Sequence, residues 1–193
     1  SLSKAYAKIG ETYYKSLADA LEAANAGDTI VLLDNVTLNS PLAISKDVTI
    51  DLNKKTIDTK AGVRAITITS GNVTIKNGTV KMGTVVNGST SESGYTIYVN
   101  TAKGENVTLN LEDVTVIGGE NQKSGVTDAT VEQLIANGMK GYQTTAGTAL
   151  YIYGKMSDGN TIVNIENSTI IGGYGSATNG TQTKYISGGA NMA

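Results

Sequence analysis

Beyond residue 28 the apolar residues of this chain fall at every second position, in short bursts separated by polar turn residues. That period belongs to strands with one buried face. Residues 1–28 read differently. AYAKI and TYY, separated by Gly10 and Glu11, predict a small hairpin. In SLADALEAANAG, Leu17, Ala20, Leu21 and Ala24 share one helical face while Asp19 and Glu22 point away. This predicts a short amphipathic helix, with Ser16 and Asp19 as an N-terminal capping pair and Gly27 as the C-terminal stop.

Within the strand region one six-residue phrase recurs: LDNVTL (33–38), LNKKTI (52–57), IKNGTV (75–80), LEDVTV (111–116) and IENSTI (165–170). Each runs from an apolar residue through three turn residues to Thr and then Val, Ile or Leu. The first positions are Leu33, Leu52, Ile75, Leu111 and Ile165, at spacings of 19, 23, 36 and 54. Unequal spacing fits a solenoid, in which equivalent strands pair between coils whatever the length of a connection at one corner. A second apolar pair precedes the later phrases: Leu42 and Ile44, Ile66 and Ile68, Ile97 and Val99, Leu150 and Ile152. The extra length lies before these pairs, in loop insertions at 83–94 and 118–147, and DATVEQLIANG in the longer one predicts a short helix.

Such coils have no private core and bury their Val, Ile and Leu only by stacking. Like residues then form columns: Asn35, Asn77, Asp113 and Asn167 at the turn, with Lys54 as the exception, followed by Thr37, Thr56, Thr79, Thr115 and Thr169. Asn suits a tight bend because it accepts left-handed backbone angles.

Composition narrows the function classes. The 193 residues include 23 Gly, ten Tyr and one Pro, but no Phe, Trp, His or Cys, and the formal charge is −2 with a single Arg, Arg64. A chain without a basic stripe is not expected to bind nucleic acid. No run approaches the length of a membrane span. Without His or Cys, triads and soft metal sites are disfavoured, and no cofactor is expected.

The residues Ile9–Gly10, Tyr14, Ser16–Ala24, Gly27–Leu33 and Val48–Ile57, the last reading VTIDLNKKTI, resemble a group of exported bacterial proteins common in gut Firmicutes. The group belongs to the pectate-lyase-like right-handed parallel β-helix proteins. The resemblance is close over residues 5–80 and becomes a match of coil pattern beyond. It implies an all-β chain: a single-stranded right-handed parallel β-helix, a solenoid of about five to six coils. Residues 1–28 are then a hairpin and capping helix, and residues 29–193 the β-helix, together one domain and a fragment of a longer protein. It also implies a secreted or cell-surface-anchored, non-catalytic module, adhesin-like or carbohydrate-contacting. Further coils or a partner are expected to cover the C-terminal end, where no cap is evident.

The parent fold is rich in polysaccharide lyases and glycosidases, so a polysaccharide-degrading enzyme is the alternative. The Asn-Thr-Asp, Gly-His-Gly and Arg-Ile-Lys elements of its glycosidases are absent. Arg64, Asp51 and Glu112 remain the candidates for catalysis, with Asp58 and Glu166 as further acids. Asp51 is expected to share an outward column with Asn110 or Asn164. A spacer without ligand is the third reading. The sharper feature is aromatic: with Ile97, Val99, Leu150 and Ile152 inward, Tyr98 and Tyr151 point outward in one column, and Tyr185 falls on the next coil. Stacked phenols beside loops suit a sugar ring, whose C–H-rich face packs on aromatic rings, so Tyr98, Tyr151 and Tyr185 are the candidate ligand-binding residues for a glycan or a host or cell-wall surface.

Overall fold

The computed structural model describes residues 3–86, 94–123, 147–153, 158–179 and 182–188. The chain is all-β, dominated by parallel sheets, with one α-helix among the described residues. Strands β1 (Ala7–Ile9) and β2 (Thr12–Tyr14) form the expected hairpin around Gly10, whose φ of 55° suits glycine. Helix α1 (Leu17–Ala23) starts as its sequence dictates: the Asp19 N–H donates to Ser16 Oγ at 3.0 Å, and Leu17, Ala20 and Leu21 are buried. Its end differs from expectation. The chain leaves the helix at Ala24, ahead of Gly27, because Lys46 Nζ donates to the carbonyls of Leu21 (2.8 Å) and Ala24 (2.7 Å). A lysine from a later bend thus caps the carbonyls that a terminal glycine turn would otherwise satisfy.

From residue 29 the chain makes five successive passes. The first is β3 (Thr29–Leu32), β4 (Val36–Leu38) and β5 (Leu42–Ile44). The second is β6 (Val48–Asp51), β7 (Thr56–Thr59) and β8 (Ile66–Ile68). The third is β9 (Gly71–Lys81), β10 (Val85–Val86) and β11 (Tyr95–Asn100), and the fourth β12 (Val107–Ile117), β13 (Asn121–Lys123) and β14 (Thr148–Tyr153). The fifth is β15 (Thr161–Glu166), β16 (Thr169–Ile171) and β17 (Tyr174–Asn179), followed by β18 (Gln182–Gly188). Three sheets result. One runs β15-β12-β9-β6-β3-β1-β2, with β16 on β12 and β7 joining β4 to β9; a second runs β5-β8-β11-β14, and a third β10-β13-β17-β18. Successive passes pair in parallel; the antiparallel contacts are β1 with β2 and β3, and β17 with β18.

The core is a set of register columns. Ile30, Ile50, Ile75, Leu111 and Ile165 are register partners in turn. So are Leu42, Ile66, Ile97 and Leu150, and beside them Ile44, Ile68, Val99 and Ile152. Nearly all are sealed from water until the last pass, where Ile165 is 42% exposed and Ile162 and Ile171 are exposed too.

The repeated phrases match this register in passes three to five and depart from it in the first two. Asp51 pairs with Lys76 and Thr56 with Thr79, so four residues of pass two span what two residues, Asn77 and Gly78, span in pass three. Leu52 therefore does not stand over Ile75. It turns inward at this wider corner and is fully buried. A Cβ on Gly78 would lie 2.5 Å from Leu52 Cβ, so only glycine leaves the leucine its room. In pass four the register partner of Gly78 is Val114, buried there in its own right. In the first pass Val36 pairs with Ile57 and Thr37 with Asp58, so the Thr column is Thr56, Thr79, Thr115 and Thr169 without Thr37. Leu32, not Leu33, is the buried residue entering that corner.

The turn column is corrected likewise. Asn77, Asp113 and Asn167 have φ of 62°, 51° and 45°, and Asn53 and Lys54 join them at 48° and 62°. Asn35 is not left-handed; its Oδ1 instead accepts the Thr56 N–H at 2.9 Å. The insertions at 83–94 and 118–147 contribute β10 and β13 to the third sheet, which the sequence pattern does not predict. The helix expected over DATVEQLIANG lies outside the described residues.

Candidate functional site

Strict alternation would put Tyr95 and Tyr98, three residues apart, on opposite faces. The chain breaks alternation where it enters the second sheet. Ala65 and Ile66, Thr96 and Ile97, and Ala149 and Leu150 are adjacent pairs in which both residues are buried. Each pair turns a corner inside the core, and the Thr96 hydroxyl there donates to the Ile117 carbonyl at 2.7 Å. The residues flanking the corner consequently share the outer side. Arg64 precedes Ile66 by two residues as Tyr95 precedes Ile97, and Ile66 pairs with Ile97. Tyr98 and Tyr151 are register partners, as expected, in a column that begins with Ala43 and Thr67.

Passes two to four therefore gather one arginine and four tyrosines on the outside of the second sheet. Tyr95 and Tyr151 stack with centroids 4.2 Å apart and planes at 9°, and Tyr153 continues the stack from Tyr151 at 6.4 Å and 13°. Tyr98 leans at 39° against both Tyr95 (5.2 Å) and Tyr151 (5.7 Å). The Arg64 guanidinium carbon lies 4.9 Å from the Tyr95 ring centroid and 4.5 Å from that of Tyr98, within cation–π range. All five side chains are half-buried. Among the described residues no carboxylate lies within ion-pair distance of Arg64. Burial raises the Tyr98 phenol above the ordinary tyrosine value, against a smaller downward pull from Arg64.

Tyr185 is not brought to this cluster. It lies in β18, antiparallel to β17 and opposite Ser176, so it belongs to the third sheet and not to a further strand of the second. The chain doubles back after β17 instead of returning to the second sheet. Sequence reasoning missed Arg64, Tyr95 and Tyr153 as members; the doublets Ala-Ile, Thr-Ile and Ala-Leu before the inward pair were the available signal.

The catalytic candidates lie in three separate places. Asp51 stands in a column with Lys76, Glu112 and Glu166 on the large sheet, while Asn110 is the register partner of Thr74 and Asn164 that of Asn110. The expected pairing of Asp51 with the asparagine column is thus wrong by two residues: the asparagines continue the column of Thr49 and Thr74, on the same face of the pleat as Asp51 but one place earlier along the strand. Asn164 Nδ2 donates to Asn110 Oδ1 (3.0 Å), and Asn110 Nδ2 to Asn72 Oδ1 (3.0 Å), forming a ladder of their own. Asp51 Oδ1 accepts from the Asn53 N–H (2.9 Å) and Asn77 Nδ2 (3.1 Å), and Asp58 pairs with Lys81 at 3.4 Å. Arg64 touches tyrosines on a different sheet. Among the described residues no three potential metal ligands converge. A shallow hollow of about 590 Å³ lies at the corner lined by Asp51, Lys54, Asn77 and Asp113, where the carboxylates already accept hydrogen bonds from Asn53, Asn77 and Asn167.

Comparison with protein-family models, curated proteins and solved structures gives no match to this chain.

Proposed function

We propose that this chain is a non-catalytic, right-handed parallel β-helix module of a secreted or cell-surface-anchored bacterial protein, and that its tyrosine cluster contacts glycans. The β-helix reading is supported by the parallel pairing of each pass with the pass before it, and by the recurrence of large sheet, third sheet and second sheet in that order in passes three and four. The surface setting and kinship with the pectate-lyase-like group rest on the sequence resemblance.

The observation that carries the glycan reading is the gathering of Tyr95, Tyr98, Tyr151 and Tyr153 with Arg64 on one outer face, half-exposed and drawn from three passes. Aromatic rings with polar tips fixed on a rigid sheet pack against pyranose C–H groups while phenol and guanidinium donors meet hydroxyls. The test is a glycan array probed with the wild-type chain and with Tyr98→Ala/Tyr151→Ala. Binding that disappears in the double variant, with its circular dichroism spectrum retained, supports the reading; absence of binding by the wild type overturns it.

A second reading, the spacer without ligand, is favoured by one detail. The face-to-face stacking of Tyr95 on Tyr151 uses ring surface that a sugar would need. Under that reading the double variant loses stability and there is no glycan binding to lose.

A further inference from the structure

Arg64 is the only arginine of the chain, and its position is unusual for a surface cation. Its guanidinium lies over the rings of Tyr95 and Tyr98, at 4.9 Å and 4.5 Å from their centroids. The two rings lean on each other at 39° and are themselves held by Tyr151. Stacking engages the flat face of a guanidinium and leaves the N–H groups around its rim free to donate in a fixed plane. Among the described residues those donors have no carboxylate within ion-pair distance. A planar donor fork, orientated by aromatic rings and without a carboxylate partner among the described residues, matches an oxyanion with two coplanar acceptors.

We infer that the ligand of the tyrosine cluster is an anionic sugar, a pyranose bearing a carboxylate or a sulfate ester, with the anion on the Arg64 fork and the ring against the tyrosines. This rests on the glycan-contacting reading above. It adds a charge requirement that the rings alone do not impose, since stacking on tyrosine is indifferent to the charge of the sugar substituent.

The experiment compares binding of oligosaccharides terminating in galacturonate, N-acetylneuraminate or galactose 3-sulfate with that of the neutral galactose and N-acetylgalactosamine counterparts, by calorimetry at low and high salt. The three anionic arms separate the carboxylate from the sulfate source. A charge-assisted bidentate contact gives the preferred anionic sugar an advantage of at least about tenfold over its neutral counterpart, reduced by salt. Arg64→Gln abolishes that preference, bringing the anionic sugar down to the affinity of its neutral counterpart, and Arg64→Lys, which keeps the charge without the fork, retains only part of it. Equal binding of neutral and anionic sugars, or an anionic preference that survives Arg64→Gln, overturns the inference while the glycan reading stands. Failure of the wild type to bind any of the five sugars overturns both. Thermal unfolding of each variant shows that it is folded before its affinity is compared.

Discussion

Truncating one residue per pass along a single core column tests the shared interior quantitatively. Leu111 and Ile165 are register partners, yet Leu111 is sealed between Ile75 and Ile165 whereas Ile165 is 42% exposed. Leu111→Ala removes a side chain from an enclosed site, and transfer plus cavity terms cost about 3 kcal/mol. Ile165→Ala forfeits only roughly 60% of the transfer term and leaves no closed void, so its cost is about 1 kcal/mol. With a urea slope of about 2 kcal/mol per molar, the midpoints fall by about 1.5 M and about 0.5 M respectively. Equilibrium unfolding in urea followed by circular dichroism reads both, and an unchanged slope shows that the two variants unfold as the wild type does. Equal losses at the two positions, or the larger loss at Ile165, would refute the column.

Two further outcomes are expected. Lys54 is exposed and sits at φ 62°, a left-handed angle that costs a residue with a Cβ about 1 kcal/mol relative to glycine, so Lys54→Gly raises the thermal midpoint by a few degrees. The Tyr98 phenol, raised by burial, ionises above the ordinary tyrosine range in an ultraviolet-monitored alkaline titration, and Arg64→Gln moves it further up because the nearby cation is removed. The sign for stability follows. The folded pKa lies above the unfolded value, so Tyr98's contribution is intact below about pH 10 and is lost as pH rises through the folded pKa, as the unfolded chain releases its proton first.

The residues explain how much of this was legible in the sequence. Period-two patterning exposed the inward pairs Leu42/Ile44 to Leu150/Ile152, and these columns pair as read. The phrase IKNGTV and its two successors also align, since each carries the same number of residues between its inward apolar residue and its threonine. Register failed where the pattern was ambiguous. VLL at 31–33 offers two adjacent leucines for one inward place, and IDLNKKTI offers both Ile50 and Leu52, of which tertiary packing over Gly78 admits both. The third sheet was hidden because its first two strands, Val85–Val86 and Asn121–Lys123, are too short to show a period and draw their order from neighbouring passes. At the candidate site, alternation alone placed Tyr98 and Tyr151. The membership of Arg64, Tyr95 and Tyr153 depended on the doubled inward residues at the corner, a departure from period two that a strand template reads as noise. Tyr185 was placed by assuming one more regular pass, where the chain instead forms the β17–β18 antiparallel pair.

The most direct test of register uses the absence of native cysteine. Ala43 and Thr67 are parallel register partners at the head of the column that carries Tyr98 and Tyr151. Adjacent strands lie about 4.8 Å apart, within disulfide reach, whereas a shift of two residues lengthens the separation to about 8 Å, beyond it. Mild oxidation of Ala43→Cys/Thr67→Cys, read by thiol titration and mass spectrometry of the digested chain, is predicted to close an intramolecular disulfide, while Ala43→Cys/Thr69→Cys stays reduced. A disulfide in the second variant and none in the first would contradict the in-register stacking on which the site is built.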